Sequence, residues 1–333
     1  MAVTLKHVAE LAGVSRSAVS RTFTEGASVS AKTKAKVLRA AKQLGYSPNL
    51  LARSLTTRQT RLIGLISNNF KNPIFLEIFD LFTKQIQERE YRPLIANLTP
   101  DYPPEAMLRM MQQYSVDAVI IASSTLPDGF AQMFQESGLP VVHAFGRVNG
   151  RAGVPTVGVD NQQCGRMAAE HLISLGYRDI AFLGGPASAT TTIDRAAGFQ
   201  EIVKGKKGVR ASISYAQAYS FDAGREAMAE ILKKRPAEAY FCGDDILSLG
   251  AISAIKDAGL SVPADIGILG FNDMTMANWA GIELSTIHQP LPEIITGSVD
   301  LAISNLEDPG RYPELRLFPC TIIDRNTLVA KAA

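Results

Sequence analysis

From Arg61 onward, short apolar runs alternate with longer helix-like stretches, and this alternation restricts the chain to few folds. The runs cover residues 62–67, 94–98, 118–122, 141–145, 156–159, 180–183, 240–242 and 266–269. Helix-like stretches lie between them, such as 73–90, 164–175, 223–232 and 246–258. Strands that are apolar along their whole length are buried on both faces, as in parallel sheets covered by helices. Eight or more such strands imply two sheets, hence two lobes. Ligands of this architecture bind at the carboxyl ends of the strands, in the cleft.

Several classes of protein are disfavoured. The 46% hydrophobic and 20% charged residues suit a folded core rather than a disordered chain. No run of ~20 apolar residues is present, so no membrane partner is expected. Thr4-Leu5-Lys6-His7 follows the first three residues with no apolar signal segment. Cys164, Cys242 and Cys320 are odd in number and far apart, which argues against a disulfide framework and for a reducing cytoplasm. An enzyme reading finds little. Residues 184–189 ("GGPASA") match neither dinucleotide nor phosphate loops. His7, His143, His171 and His288 lack metal-ligand spacing. Asp244 and Asp245 are adjacent, and neighbours on a strand point to opposite faces. No catalytic residue, metal or cofactor is expected.

Charge is unevenly distributed. Residues 1–60 hold ten basic and two acidic residues, a net +8, while the remainder carries −6. A basic head on an acidic body points to a polyanion partner, although a solvated helical surface would look the same. The local pattern is more informative. Thr4 can cap a first helix with an apolar stripe at Leu5, Val8, Ala9 and Ala12, and Gly13 can end it. Ser15 can cap a second helix with Ala18 and Val19 inward and Arg16, Ser17 and Arg21 outward. A third helix is expected from Ser30 to Leu44, with Val37, Leu38, Ala41 and Leu44 buried and Gly45 as its end. This is a helix-turn-helix. Its second helix would enter the major groove, where Arg16 and Arg21 can bind guanine edges and Ser17 a base or phosphate. Thr4, Ser15, Ser20 and Tyr46 are assigned to the DNA backbone. The alternative is that the arginines touch phosphates alone.

The strings "TLKHVAELAGVSRSAVSR", "VSAKTKAKVLRAAKQLGYSPNLLARSL" and "IGLIS" resemble the LacI/GalR family of bacterial transcription regulators across essentially the whole chain. His7 departs from the pattern, since the family usually has an acid there. The resemblance implies a small all-α helix-turn-helix head (1–47), a hinge helix or linker (48–60), and an α/β two-lobed body (61–333). That body is periplasmic-binding-protein-like, with parallel sheets flanked by helices and three crossovers, near 160, 290 and 321. It also implies that the hinge folds on DNA and that a leucine enters the minor groove. Leu55 holds that position, with Ala52, Arg53 and Ser54 beside it. A plain linker with Leu55 on the body is the alternative.

Effector-binding positions follow from the resemblance residue by residue. Phe75 stacks on the ligand, Arg195 anchors it, and Asp244, Asn272 and Gln289 supply polar contacts. Ser123 ends a strand in the cleft, and Asp160 lies at the first crossover. Phe75 can instead be core, Arg195 a surface ion pair, and Asp160 and Gln289 structural. Asn272 and Phe145 stand where the family commonly has acids. A sugar acid or sugar phosphate therefore meets less repulsion than in relatives, although Asp244 restores one acid. The reading is a ligand-responsive DNA-binding regulator, a repressor of carbohydrate or sugar-acid genes. It binds a palindromic double-stranded operator as a homodimer. Residues 74–86 carry enough apolar surface to serve a partner subunit as well as the core, with core packing alone as the alternative. No heptad tail for a tetramer is present. The alternatives are a solute-binding protein for transport and a regulator that ignores ligands.

Overall fold

The computed structural model describes residues 3–24, 26–47, 59–68, 70–99, 101–126, 129–147, 153–308, 310 and 313–331. The chain divides into two compact units, residues 1–60 and 61–333.

The first unit holds α1 (Leu5–Ala12), α2 (Arg16–Thr22) and α3 (Ala31–Leu44). Thr4 caps α1, and its backbone N–H donates to His7 Nδ1 at 3.2 Å. The imidazole thus does the hydrogen-bonding work of the acid it replaces, without the charge that the helix dipole favours. Ser15 Oγ accepts from the Ala18 amide, and Ser30 Oγ from the Thr33 amide. Gly13 and Gly45 both have φ of 64°, the left-handed conformation that closes α1 and α3. Val8, Ala9, Val19, Val37, Ala40 and Ala41 form the core. Leu38 does not join it, being 45% exposed. The buried stripe runs Val37, Ala40, Ala41, with Leu44 half-buried at its end, and a residue directly after Val37 is turned ~100° away from it.

In the second unit β1 (Leu62–Ser67) is followed by α4 (Ile74–Glu88), β2 (Arg92–Asn97), α5 (Pro104–Gln113), β3 (Ala118–Ala122), α6 (Phe130–Glu136), β4 (Val141–Ala144) and β5 (Thr156–Gly158). Then come α7 (Asn161–Ser174), β6 (Asp179–Gly184), α8 (Thr190–Lys204), β7 (Arg210–Tyr215), α9 (Phe221–Leu232), β8 (Ala239–Cys242), α10 (Asp245–Asp257) and β9 (Gly267–Asn272). The chain ends through β10 (Thr286–His288), α11 (Leu291–Glu307), β11 (Leu315–Leu317) and β12 (Thr321–Ile323).

The strands form two six-stranded sheets, ordered β11-β5-β4-β3-β1-β2 and β12-β10-β9-β8-β6-β7. The first five strands of each half thus repeat one doubly wound order, with β1/β3 and β6/β8 at the points where the order reverses. All pairings are parallel except β12 with β10. Only residues 318–320 separate β11 from β12. So short a passage cannot carry the chain to the other end of the second sheet, and β12 runs backwards. The chain passes between sheets three times: after β5, after β10 and after β11.

The helices on the second sheet lie unusually close. A Cβ on Gly198 of α8 would sit 1.9 Å from the Gln162 carbonyl oxygen, and one on Gly165 of α7 would sit 2.1 Å from that of Arg195. The α9/α10 pair repeats the device, with a Cβ on Gly250 falling 2.1 Å from the Phe221 carbonyl and one on Gly224 2.6 Å from that of Leu247. Backbone cannot yield as a flexible side chain can, so Gly198→Ala is expected to cost at least the ~1–3 kcal/mol typical of overpacking. Gly205→Ala is the control, since its Cβ would meet only the Ile202 carbonyl, at 3.7 Å. Urea midpoints check this: equal values for the two variants would contradict the crossing as described.

Candidate functional site

A cavity opens at the carboxyl ends of the strands of both sheets. Its walls are loops and first helical turns. Ser123, Ser124 and Thr125 follow β3, Phe145 follows β4, and Asp244 follows β8. The end of β9 brings Asn272, and the passage after β10 brings Gln289. Parallel strands all point one way, so the residues after them converge even where they are far apart in sequence.

Asp244 is the buried acid of the cavity, 5% exposed. It caps α10 through Oδ1, which accepts from the Ile246 amide at 2.9 Å. Oδ2 accepts from Asn72 Nδ2 at 2.9 Å and from Asn272 Nδ2 at 3.0 Å. Asn272 Oδ1 in turn accepts from Gln289 Nε2 at 3.1 Å. This chain of amides runs from the first lobe through the second to the second crossing. Burial pushes the Asp244 carboxyl up to about 6, against the opposing pull of these donors and of Arg195. Asp245 diverges from it, as expected, but both sit at a helix N-terminus rather than on a strand. Asp245 is structural, accepting from Thr286 Oγ1 and from the Met274 amide.

Arg195 lies on α8, 6% exposed, with its guanidinium carbon 3.5 Å from the centre of the Phe271 ring. Nε donates to Asn161 Oδ1 at 2.8 Å and Nη1 to the Gly243 carbonyl at 2.7 Å. Among the described residues Nη2 has no acceptor, so a fixed, charged donor lines the cavity. The ion-pair alternative for Arg195 does not hold, because both acceptors are neutral. Asn272 and Phe145 line the cavity with φ of 118° and 62°, conformations that cost energy for residues with a Cβ.

Direct contacts join the lobes around the cavity. Arg147, after β4, forms a forked ion pair with Asp194 of α8 at 2.6–3.0 Å. The Thr190 amide donates to the Ser124 carbonyl, and the Thr275 amide to Glu77 Oε1.

Phe75, Ser123, Arg195, Asp244, Asn272 and Gln289 all line this one cavity. Asp160 does not. Its carboxylate caps α7 by accepting from the Gln163 amide and lies 3.8 Å from Arg166, 40% exposed. The next residue, Asn161, lines the cavity instead. The crossing region was legible, but which of two neighbours turns inward depends on the cap. Asn72, Thr191 and Tyr219 also line the cavity and were missed. Asn72 was findable, lying next to Pro73 in the string that carries Phe75. Nothing in the local sequence marks Tyr219.

On the first unit, Arg16, Ser17, Ser20 and Arg21 are exposed on α2. Ser15 Oγ is 2.9 Å from Ser17 Oγ, and Arg21 Nε donates to the Ser17 carbonyl. Thr4 is exposed, and the half-buried Tyr46 ring packs on Phe23 at 5.8 Å. Ala52, Arg53, Ser54 and Leu55 lie outside the described residues. Among the described residues no cluster suits a metal ion, and no helix is long and apolar enough to cross a membrane.

Residues 4–49 match the family model of bacterial regulatory proteins, lacI family, and residues 169–328 match a periplasmic binding protein-like domain. The chain is 33% identical to the HTH-type transcriptional regulator CelR of Thermobifida fusca over 297 residues, 86% of this chain and 87% of that protein. It superposes with a TM-score of 0.89 on a Lac repressor dimer bound to operator and the anti-inducer ONPF, at 26% identity, covering 99% of this chain and 100% of the other. The TM-score is 0.73 against a CelR–cellobiose complex, at 28% identity, covering 98% and 100%.

The buried carboxyl makes stability depend on pH. An unfolded Asp244 releases its proton near 3.8 and the folded one near 6. Between those values the folded state keeps a proton that the unfolded state has lost. Asp244 therefore lowers stability as pH rises from about 4 to about 6, by ~3 kcal/mol, and adds no further change above about 7. The Asp244→Asn variant should lose that part of the decline. Urea unfolding at pH 4.5 and pH 7.5 checks it, and equal slopes in both proteins would refute the shift.

Proposed function

Because the chain belongs to the lacI family of bacterial regulatory proteins and is a transcriptional regulator, we propose that a small carbohydrate-type effector in the cavity controls how tightly a homodimer holds a palindromic operator. Residues 1–47 form the DNA-binding domain, 48–60 the hinge, and 61–333 the effector-binding and dimerisation domain. The protein acts as a repressor in the cytoplasm, where its DNA is. The observation that carries this reading is the single cavity in which Arg195 and the Asp244–Asn272–Gln289 chain meet at the ends of two sheets. A ligand there touches both lobes, so its affinity depends on their relative orientation, and binding shifts that equilibrium.

Arg16, Ser17 and Arg21 read the major groove from the exposed face of α2. Thr4, Ser15, Ser20 and Tyr46 serve the backbone, the first two beside their helix-capping bonds. The hinge residues Ala52, Arg53, Ser54 and Leu55 serve the minor groove, where Ala52 is small enough for two hinges to approach closely and Leu55 is the wedge. In the cavity Arg195 offers Nη2 to an anionic or strongly accepting group. Asp244 already accepts three bonds from the protein and has little left for ligand hydroxyls. This favours a sugar acid or sugar phosphate. Phe75 supplies an apolar face, and Ser123, Asn272 and Gln289 supply polar edges.

Genomic DNA fragments retained by the purified protein test the regulator reading. An enriched palindrome beside catabolic genes supports it, and salt-sensitive binding without any enriched site overturns it. Arg21→Ala should cost about 1–3 kcal/mol on the operator and relax preference at one base position. Leu55→Ala should weaken operator binding strongly and random DNA little, as read by fluorescence anisotropy. Calorimetry with gluconate, glucose 6-phosphate and cellobiose should show the anions binding more tightly. A screen in which neutral sugars alone bind would reject the anionic preference.

A further inference from the structure

Two of the three cysteines face each other across the crossings between lobes. Cys164 sits in the first turn of α7, just beyond the first crossing, and is buried. Cys320 lies in the passage between β11 and β12, the third crossing, and is half-buried. They are 156 residues apart in sequence, yet their sulfurs are 3.4 Å apart, with the Cys164 thiol donating to Cys320 Sγ. Contact at that distance requires converging side chains, the condition that most cysteine pairs fail for bridging. Cys242 is remote in role, fully buried on β8.

We propose that Cys164 and Cys320 form a reversible oxidative modification site, closing a disulfide that ties the first crossing to the third. The oxidant is a hydroperoxide. Cys320 gives up its proton, its thiolate attacks the terminal peroxide oxygen, the O–O bond breaks, and the departing alkoxide, or hydroxide from hydrogen peroxide itself, takes that proton to leave as an alcohol or water. Cys320 is then a sulfenic acid. Cys164 loses its proton and attacks the Cys320 sulfur, the S–O bond breaks, and the departing hydroxide takes that proton as water. Two thiols and one hydroperoxide thus give one disulfide, one alcohol and one water.

The division of roles follows from position. Cys320 is the more exposed thiol, so a peroxide meets it first. The hydrogen bond from Cys164, helped by the Arg195 charge, also holds Cys320 below the ordinary thiol value, while Cys164 is pushed up by the same bond and by burial. Lobe movement requires the crossings to flex, since they are the segments that join the two sheets. A covalent tie between two of the three restricts that movement. Bond formation stands independently of the proposed effector.

The test is full-length protein treated with hydrogen peroxide, followed by intact mass, peptide mapping and hydrogen exchange. The expected result is a loss of about 2 Da per chain, a single cross-linked peptide pair containing Cys164 and Cys320, and full reversal by dithiothreitol. Exchange should slow in residues 158–161 and 318–320 on oxidation. Cys164→Ser should leave Cys320 as a sulfenic acid that dimedone traps, and Cys320→Ser should leave Cys164 unreacted. Over-oxidation of Cys320 without a cross-link, a bond to Cys242 or between chains, or a bond that dithiothreitol cannot open would each overturn the site. Unchanged exchange in the cross-linked protein would overturn the restriction of the crossings.

Discussion

What the second sheet presents to the cavity depends on the contact between two helix backbones. Gly165 and Gly198 let α7 and α8 approach until a single added carbon would overlap a carbonyl oxygen. That approach brings Arg195 within reach of Asn161, and Asn161 fixes the guanidinium that lines the cavity. Gly224 and Gly250 do the same for α9 and α10, and the first residue before α10 is Asp244. Both charged groups of the cavity are therefore held by helix pairs that no larger residue would allow to close. Side-chain packing alone would leave the helices wider apart and the two groups less constrained.

The cavity concentrates unfavourable terms. A carboxyl is buried, and two residues with side chains take left-handed backbone conformations. Such costs persist where surrounding structure outweighs them, and they cluster at working sites. Two of its donors, the Ile246 amide and Asn272, belong to its own lobe, while the third, Asn72, comes from the other, so the acid is fully satisfied only while the lobes hold this arrangement. Asn72 is what couples the acid to the orientation of the lobes.

Much of this was readable in the sequence because the physics involved is local or periodic. The long buried strands β1, β3 and β6 announce themselves as apolar runs. The caps at Ser15 and Ser30 and the glycine ends at Gly13 and Gly45 are short-range chemistry. The elements missed share another character. β7 is an edge strand with polar, exposed residues, and β10, β11 and β12 have three residues each. The helix α8 buries Thr191, Thr192, Asp194 and Arg195, so no clean apolar stripe marks it. Leu38 and Asp160 were misplaced for a related reason: which side a residue faces is settled by the exact phase of a helix, and its first turn fixes that phase. Of the residues that line the cavity, those carried by motifs were named from the sequence. Tyr219, brought in by tertiary packing, was not.

The path of the chain between the sheets also governs how the protein is made. β11 completes the first sheet and α11 packs on α4, yet both follow the entire run of β6 to β10. A ribosome releases residues 61–158 with β5 still an open edge and one face of α4 uncovered. Those surfaces stay exposed until about 150 further residues have emerged. Neither lobe can finish before the last two strands emerge, β11 for the first and β12 for the second, and the exposed β5 edge is the kind of surface that chaperones shield. Sequence-distant contacts of this kind also slow folding, because loop closure must precede the gain in packing. Terminal truncation even just short of β11 therefore takes a strand from each sheet, and so damages the lobe that was translated first as well as the one beside the cut.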